Sequence, residues 1–360
     1  MQSDALDNLT DPAILFFVVG VAIGLVRSNL AIPAQVAKFL SLYLLMALGF
    51  KGGQALNDAG LGGDGIKVVG SALLLAFAMP ALVFPVLRRR VNQFDAAAIA
   101  ATYGSVSAVT FITASQFLVA RGDEAGGYLT VALVVMESPA IIMAVLLATW
   151  ARSQQAQQAP DTTSIATAVA AGPVMAPAGG PAGHDGDEGD QGHGNTKALS
   201  VKEVLHEAFT DGAHLLLIGS MVVGAISGTK GGEAMAPFVT DMFKGFLAFF
   251  LLEMGLLVAR QLREVRDVGP FLVGFAIVTP LVGATLAMGL SVLFGISPAD
   301  GMLLATLAAS GSYIVVPAVV RYAIPEARPS RYFTMALAVT FPFNIIFGIP
   351  LYYEVANALL

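Results

Sequence analysis

Apolar runs of roughly twenty residues set what this chain can fold into, because an α-helix of that length crosses the hydrocarbon core of a bilayer. Ten such runs can be read along the 360 residues. Only 12% of the residues are charged, against about 25% in a soluble domain. We therefore expect an all-α, polytopic membrane protein with no nucleic-acid partner. The ten predicted spans lie near residues 12–29, 33–50, 66–87, 96–119, 128–149, 212–228, 236–258, 268–294, 299–322 and 332–357.

A polar stretch over residues 151–200 divides the ten runs into two groups of five. It is rich in Gln, Ala, Pro, Gly and acidic residues and has almost no large apolar side chains, so we expect a disordered linker. The groups, 1–150 and 201–360, resemble each other: Tyr103–Ser107 matches Ser310–Ile314, and Leu48-Gly49 matches Met254-Gly255. An odd number of spans per unit predicts two inverted five-helix repeats, with a core and a gate domain.

Two apolar runs at matching positions contain small and polar residues where a packing helix would have Leu, Ile and Val. They are Tyr103–Phe111 and Ala308–Pro317. Paired interruptions of this kind point to broken helices around a transporter's binding site, although small residues also allow close helix packing. The predicted substrate-binding residues are Gly104, Ser105, Val106, Ser107, Gly311, Ser312 and Tyr313.

The chemistry of these two runs favours a small anion. Breaks in the helices would present half-helix N-termini, whose free N–H groups and partial positive charge bind anions. Neither run contains Arg or Lys, whereas a dicarboxylate or phosphate usually calls for an arginine fork. The chain has no Walker motif, so an ion gradient is the expected energy source. It also has no cysteine, which excludes disulfides and thiolate chemistry.

Glu137 is the main candidate for the coupling-ion site, because an ionisable residue at membrane depth is a functional suspect. Pro139 frees a backbone carbonyl near it, and oxygen ligands suit a hard cation such as Na⁺. A proton is the rival ion, and a buried Glu that fixes two helices is the structural alternative. The predicted metal-binding set is Glu137, Ser138, Thr110, Ser310 and Asn344.

Three further polar positions receive weaker roles. Glu253 and Lys244 are interpreted as candidates for a subunit contact or a gate. His214, near the start of the sixth run, is interpreted as interfacial rather than as a ligand.

Basic residues concentrate in alternate connections, which predicts the orientation. One set of connections contains Arg88, Arg89 and Arg90, and also Arg260 and Arg263. Placing this set inside puts both termini outside and the linker in the cytoplasm. We expect a multi-pass protein of the plasma (inner) membrane.

At these residues the chain resembles the sodium-dependent bicarbonate transporter family, whose best-known members are cyanobacterial. The likeness rests on Asp95 with the run through Thr110, on Met136-Glu-Ser-Pro-Ala140, and on Ala308-Ala-Ser-Gly-Ser312, together with the five-plus-five plan. The cyanobacterial pattern has Asp where Glu137 and Tyr313 stand, so the resemblance is to a divergent branch.

The resemblance implies a transporter rather than an enzyme. It implies bicarbonate between the two broken helices, Na⁺ beside it, a homotrimer, an elevator-type motion and, in some members, a PII-like regulatory protein on the cytoplasmic face. Two alternatives stay open from the residues alone. One is a proton- or sodium-coupled symporter of another small anion or monocarboxylate, and the other is an anion channel or membrane receptor.

Overall fold

The computed structural model describes residues 10–60, 62–158, 210 and 212–360, and all regular structure in them is helical. Thirteen segments follow in chain order: α1 Pro12–Leu25, α2 Ala34–Ala59, α3 Gly63–Leu87, α4 Gln93–Gly104, α5 Ala108–Val119, α6 Tyr128–Gln158, α7 Gly212–Ala236, α8 Phe243–Gln261, α9 Val265–Val268, α10 Pro270–Phe294, α11 Pro298–Ala308, α12 Val315–Ala323 and α13 Pro329–Leu359. A π-helical turn, Pro237–Asp241, joins α7 to α8.

Seven helical runs within the described residues are long and apolar enough to cross a membrane. One of them, Gly212–Gln261, is 50 residues long, more than twice the length that a bilayer needs. Its first part changes direction at Gly228, whose φ is 55°. Leucine, valine and phenylalanine side chains are exposed along the outer helices, as expected of a surface that faces lipid.

Helix α6 continues to Gln158 and so includes the first eight residues of the stretch predicted to be a linker. The rest of that stretch, from residue 159, lies outside the described residues.

The helices form two groups, which share one continuous hydrophobic core. Helices α1, α2, α7 and α8 form what we call the flanking bundle, in which α1 lies along α8 and α2 lies along α7. Small residues permit this close approach: a Cβ added at Gly20 would lie 2.2 Å from the Leu252 carbonyl oxygen, and one at Gly224 would lie 2.0 Å from that of Phe50.

The remaining long helices, α3–α6 and α10–α13, form the central bundle. Helix α4 packs against α3 and α6, and α11 packs against α10 and α13. Helix α13 is not regular, since π-helical turns at Met335–Thr340 and Asn344–Gly348 flank Pro342. Such turns often accompany functional sites. The central bundle therefore contains both interrupted helices and holds them inside the protein.

Candidate functional site

The first interruption separates α4 from α5. Helix α4 ends at Gly104, and Ser105 and Ser107 have extended backbone conformations. Ser107 then caps α5, because its Oγ accepts hydrogen bonds from the Thr110 N–H at 3.2 Å and from the Thr110 hydroxyl at 2.9 Å. The chain therefore leaves α4 at Gly104, and Ser107 starts the second half-helix three residues later.

The second interruption separates α11 from α12. Helix α11 ends at Ala308 and α12 begins at Val315. The Ser312 Oγ accepts a hydrogen bond from the Val316 N–H at 3.2 Å, so a serine again satisfies the first turn of the second half-helix.

The two interruptions are hydrogen-bonded to each other. The Ser107 N–H donates to the Ser310 Oγ at 2.9 Å, and the Ser312 N–H donates to the Thr102 carbonyl at 3.0 Å. Backbone groups that leave a helix at membrane depth need protein partners. Each interrupted helix supplies partners for the other, so neither break is stable alone.

A cavity of about 60 Å³ opens at this meeting point. Such a volume holds a few water-sized groups, since one water needs about 10–15 Å³. The cavity wall contains both half-helix N-termini, Val106–Val109 and Ser312–Val315. Its other walls are mainly apolar and come from α2, α6, α7 and α8. The site is therefore a small, mainly apolar space next to two N-terminal first turns.

Glu137 of α6 lies in the same cavity wall and is 8% exposed. Its Oε2 contacts the Nε2 of His214, at the start of α7. The sequence placed His214 at the membrane interface, which stays a prediction; the structure adds that its imidazole lines the cavity and contacts Glu137. Nothing in the sequence indicates this contact, because Glu137 and His214 come from different bundles and are not related by a helical spacing.

Some of the predicted substrate-binding residues line the cavity, and the others lie behind its wall. Val106, Ser107, Ser312 and Tyr313 line the cavity, whereas Gly104, Ser105 and Gly311 do not. Gly104 lies against α3, where an added Cβ would come within 2.2 Å of the Pro80 Cγ. The Ser105 Oγ is buried and has no hydrogen-bond partner among the described residues. The Tyr313 hydroxyl faces the Ser107 side chain without forming a well-aligned hydrogen bond.

The predicted metal-binding residues are not all in one place. Thr110 and Ser310 both bond to Ser107, which itself lines the cavity with Glu137. Ser138 is partly buried and is not part of the cavity wall. Asn344 donates to the Ala309 carbonyl at 2.8 Å and accepts from the Tyr352 hydroxyl at 2.9 Å. Among the described residues, no cluster of three or more acidic, His or Cys side chains could hold a metal ion.

A buried hydrogen-bond chain beneath the breaks went unrecognised in the sequence. The Tyr103 hydroxyl and the Thr340 Oγ1 are 2.6 Å apart, and the Thr340 hydroxyl donates to the Ala276 carbonyl at 2.7 Å. Thr340 ends a π-helical turn. The chain therefore connects the first interrupted helix to α10 and α13.

Glu253 and Lys244, the candidates for a gate, do not form a pair. Glu253 is buried on α8, and its Oε2 has no partner in the described part of the chain. The Lys244 Nζ lies 3.0 Å from the Asp11 Oδ2 and joins the starts of α8 and α1.

The fold and the site together define a multi-pass, all-helical membrane protein with a small, mainly apolar cavity that two interrupted helices border. Comparison with family models assigns it more closely: residues 12–357 match the Na⁺-dependent bicarbonate transporter superfamily. The chain belongs to that family, as the sequence resemblance indicated, and is a transporter rather than an enzyme. A search of curated proteins finds no match.

Proposed function

We propose that the protein imports bicarbonate together with Na⁺. The observation that carries the proposal is the pair of interrupted helices, bonded to each other around a small cavity that both half-helix N-termini border. Partial positive charge and free N–H groups at those termini suit an anion. A volume of about 60 Å³ suits one with few atoms.

Sodium would bind at Glu137. The carboxylate shares the cavity wall with Ser107, whose hydroxyl accepts a hydrogen bond from the Thr110 hydroxyl and whose backbone N–H donates to the Ser310 hydroxyl. These groups are all oxygen donors, which a hard cation requires. A bound cation would also attract an anion in the same cavity, so the two ligands should bind cooperatively.

The packing of the helices supports ten spans arranged as two inverted repeats. Counting the interrupted pairs α4–α5 and α11–α12 as one span each, and the 14-residue α1 as a short span, gives five spans on either side of residues 159–209. The first span of one half packs along the second span of the other in both combinations, α1 with α8 and α2 with α7. A two-fold relation between the halves produces this exchange. The two bundles suit an elevator motion in which the central bundle slides past the flanking bundle.

Several further features follow from the same proposal. Both termini face outward and the linker faces the cytoplasm, in accordance with the basic residues. The protein resides in the plasma membrane as a homotrimer, and a PII-like protein on the cytoplasmic face is the candidate regulator.

A small monocarboxylate is the second candidate substrate. The cavity wall is mainly apolar, with Leu44, Ile112 and Leu217 among its residues, and it could accept the methyl or hydrogen of acetate or formate. Competition with labelled bicarbonate separates the two candidates, because the true substrate competes at the lower concentration.

The test is uptake of labelled bicarbonate by proteoliposomes with and without a sodium gradient. Ser312→Ala should raise the KM for bicarbonate about tenfold, the cost of one hydrogen bond to a charged group. Glu137→Gln should strongly raise the KM for sodium, because the variant loses the carboxylate charge. The matched control is Thr149→Ala, on the same helix as Glu137 but outside the cavity wall. Wild-type KM values in both Ser312→Ala and Glu137→Gln would contradict the site.

A further inference from the structure

A second cavity, of about 620 Å³, lies at the far end of α5 from the interruption. Four elements border it: the start of α1, the last turns of α5, the start of α8 and the end of α13. Its polar lining residues are Thr10, Asp11, Thr113, Gln116, Arg121, Lys244 and Tyr353. The orientation proposed above places all four of these helix ends on the outer face of the membrane.

The charges in this cavity do not cancel. Lys244 is neutralised by Asp11 at 3.0 Å. Arg121 has no carboxylate within ion-pair distance among the described residues. Its neighbour Asp123 instead accepts a hydrogen bond from the Tyr353 hydroxyl at 2.8 Å. Among the described residues that line the cavity, Arg121 is therefore a cation outside any ion pair.

Aromatic rings hold the Arg121 side chain in place. Its guanidinium carbon lies 3.5 Å from the centre of the Phe117 ring and 5.3 Å from that of Tyr353. Stacking on two rings restrains the guanidinium, and its Nη1 also donates a long hydrogen bond of 3.5 Å to the Phe117 carbonyl. A planar fork restrained in this way is suited to the two oxygens of a carboxylate-like ion.

One face of α5 leads from this cavity to the first one. Val109 lines the cavity at the interruption, while Thr113 and Gln116, four and seven residues later, line the second cavity. Four residues of α-helix span about 6 Å. About one helical turn therefore separates the two spaces.

We propose that the second cavity is an outer anion-capture site, in which Arg121 holds a bicarbonate-sized oxyanion before it enters the cavity between the interrupted helices. The direction of flow rests on the proposed function, but the binding of the anion does not. A cation in a concave, low-dielectric wall raises the local anion concentration and the rate of encounter, and salt weakens this effect.

The experiment compares Arg121→Met, which keeps the stacked stem without the charge, and Arg121→Lys, which keeps the charge without the fork. Lys67→Met is the matched control, because Lys67 is an exposed cation on α3 that pairs with Asp64 at 2.8 Å. Initial rates of bicarbonate uptake are measured at low and high ionic strength in liposomes of zwitterionic lipid, so that no lipid anion competes.

Arg121→Met should raise the KM for bicarbonate about tenfold without changing the maximal rate, and its KM should no longer depend on salt. Arg121→Lys should retain most of the salt dependence, and Lys67→Met should behave as wild type. A wild-type KM and salt dependence in Arg121→Met overturn the capture site, while the proposed function survives if Ser312→Ala is still impaired.

Absence of uptake by the wild type would contradict the proposed function instead. The capture site is then judged by thermal unfolding with bicarbonate, because a bound ligand stabilises the folded protein. Stabilisation that is lost in Arg121→Met supports the site, and equal stabilisation of both proteins overturns it.

Discussion

Asp95 and Asp300 occupy equivalent positions in the two interrupted helices, and each carboxylate reaches into the other half of the chain. Asp95 accepts hydrogen bonds from the Arg328 N–H and from the Arg331 guanidinium, both at 2.7 Å. Asp300 accepts from the Gly126 N–H at 2.8 Å and from the Tyr128 hydroxyl. The donors to Asp95 lie at the start of α13, the last helix of the second half. The donors to Asp300 lie at the start of α6, the last helix of the first half.

These two contacts differ in charge, which gives the first prediction. Asp95→Asn leaves Arg331 without its carboxylate at a site where Asp95 is 0% exposed, and loss of one member of a buried ion pair costs about 3–5 kcal/mol. Asp300→Asn breaks hydrogen bonds to neutral donors and should cost about 1–3 kcal/mol. Thermal unfolding in detergent should therefore show the larger loss for Asp95→Asn.

A double variant provides the control for this comparison. Asp95→Asn combined with Arg331→Gln should recover part of the loss, because neither charge is then left buried alone. Equal losses of thermal stability in Asp95→Asn and Asp300→Asn would show that the ion pair between Asp95 and Arg331 adds nothing to stability beyond its hydrogen bond.

Gly104 and Gly311 give the second prediction, since both flank a break but only one is confined. An added Cβ at Gly104 would meet Pro80 at 2.2 Å, whereas one at Gly311 would be 3.5 Å from its nearest neighbour, the Ala336 Cβ. Gly104→Ala should lower the amount of folded protein severalfold, because overpacking costs about 1–3 kcal/mol. Gly311→Ala should express normally. Size-exclusion profiles of the two variants are the measurement, and equal profiles would refute the close approach of α4 to α3.

His214 gives the third prediction. Its Nε2 contacts the Glu137 carboxylate from the flanking bundle, so we expect it to position that carboxylate for sodium. His214→Ala should raise the KM for sodium about threefold to tenfold, while the KM for bicarbonate at saturating sodium stays the same. His214→Gln, which places a donor at a similar distance, should restore most of the sodium affinity. A parallel rise of both KM values would indicate a general structural role.

A row of aromatic rings gives the fourth prediction. The Phe17 and Phe341 rings meet edge to face with centres 5.5 Å apart, and Phe341 meets Tyr313 at the same separation. Phe17 lies one turn along α1 from Ile14, which borders the second cavity. We expect this row to separate the two cavities. Phe17→Leu should permit sodium-independent efflux of labelled bicarbonate from loaded liposomes.

Phe39→Leu is the comparison for that experiment, because Phe39 is 53% exposed on α2 and borders neither cavity. Efflux from Phe17→Leu liposomes no faster than from Phe39→Leu liposomes would remove the aromatic row from the permeation path.

The fifth prediction concerns the linker. Deletion of residues 161–195 should preserve sodium-dependent uptake, because this stretch has almost no large apolar side chains with which to form a core. The maximal rate per inserted molecule is the measurement. Loss of uptake by a correctly inserted deletion variant would show that the linker is part of the transport machinery.

Local signals predicted much of the architecture. Apolar runs of bilayer length located the long helices, and serine and glycine within such a run located the breaks at Ser105–Ser107 and after Ala308. Serine is a strong N-cap residue, so Ser107 by itself indicates where the second half-helix α5 can begin. Where the helices break depends on one or two local residues, and such residues can be read directly from the sequence.

The remaining features depend on contacts between distant segments. The His214–Glu137 contact joins two bundles, and the Arg121 stack requires Tyr353 from the last helix. Neither pair has a sequence spacing that indicates proximity. The π-helical turns of α13 also escaped recognition, because the pattern of apolar residues there is compatible with an ordinary helix.

The bond between Ser107 and Ser310 spans 203 residues, and that between Asp95 and Arg331 spans 236. Translation delivers the first half of the chain to the membrane long before these partners exist. Until the second half is made, the Ser107 N–H and the Asp95 carboxylate need other hydrogen-bond partners, such as water or the insertion machinery. We therefore expect the two halves to insert into the membrane one after the other and to pack together only after both are inserted. Co-expression of residues 1–158 and 210–360 as separate polypeptides should yield a functional complex, whereas either half alone should be degraded.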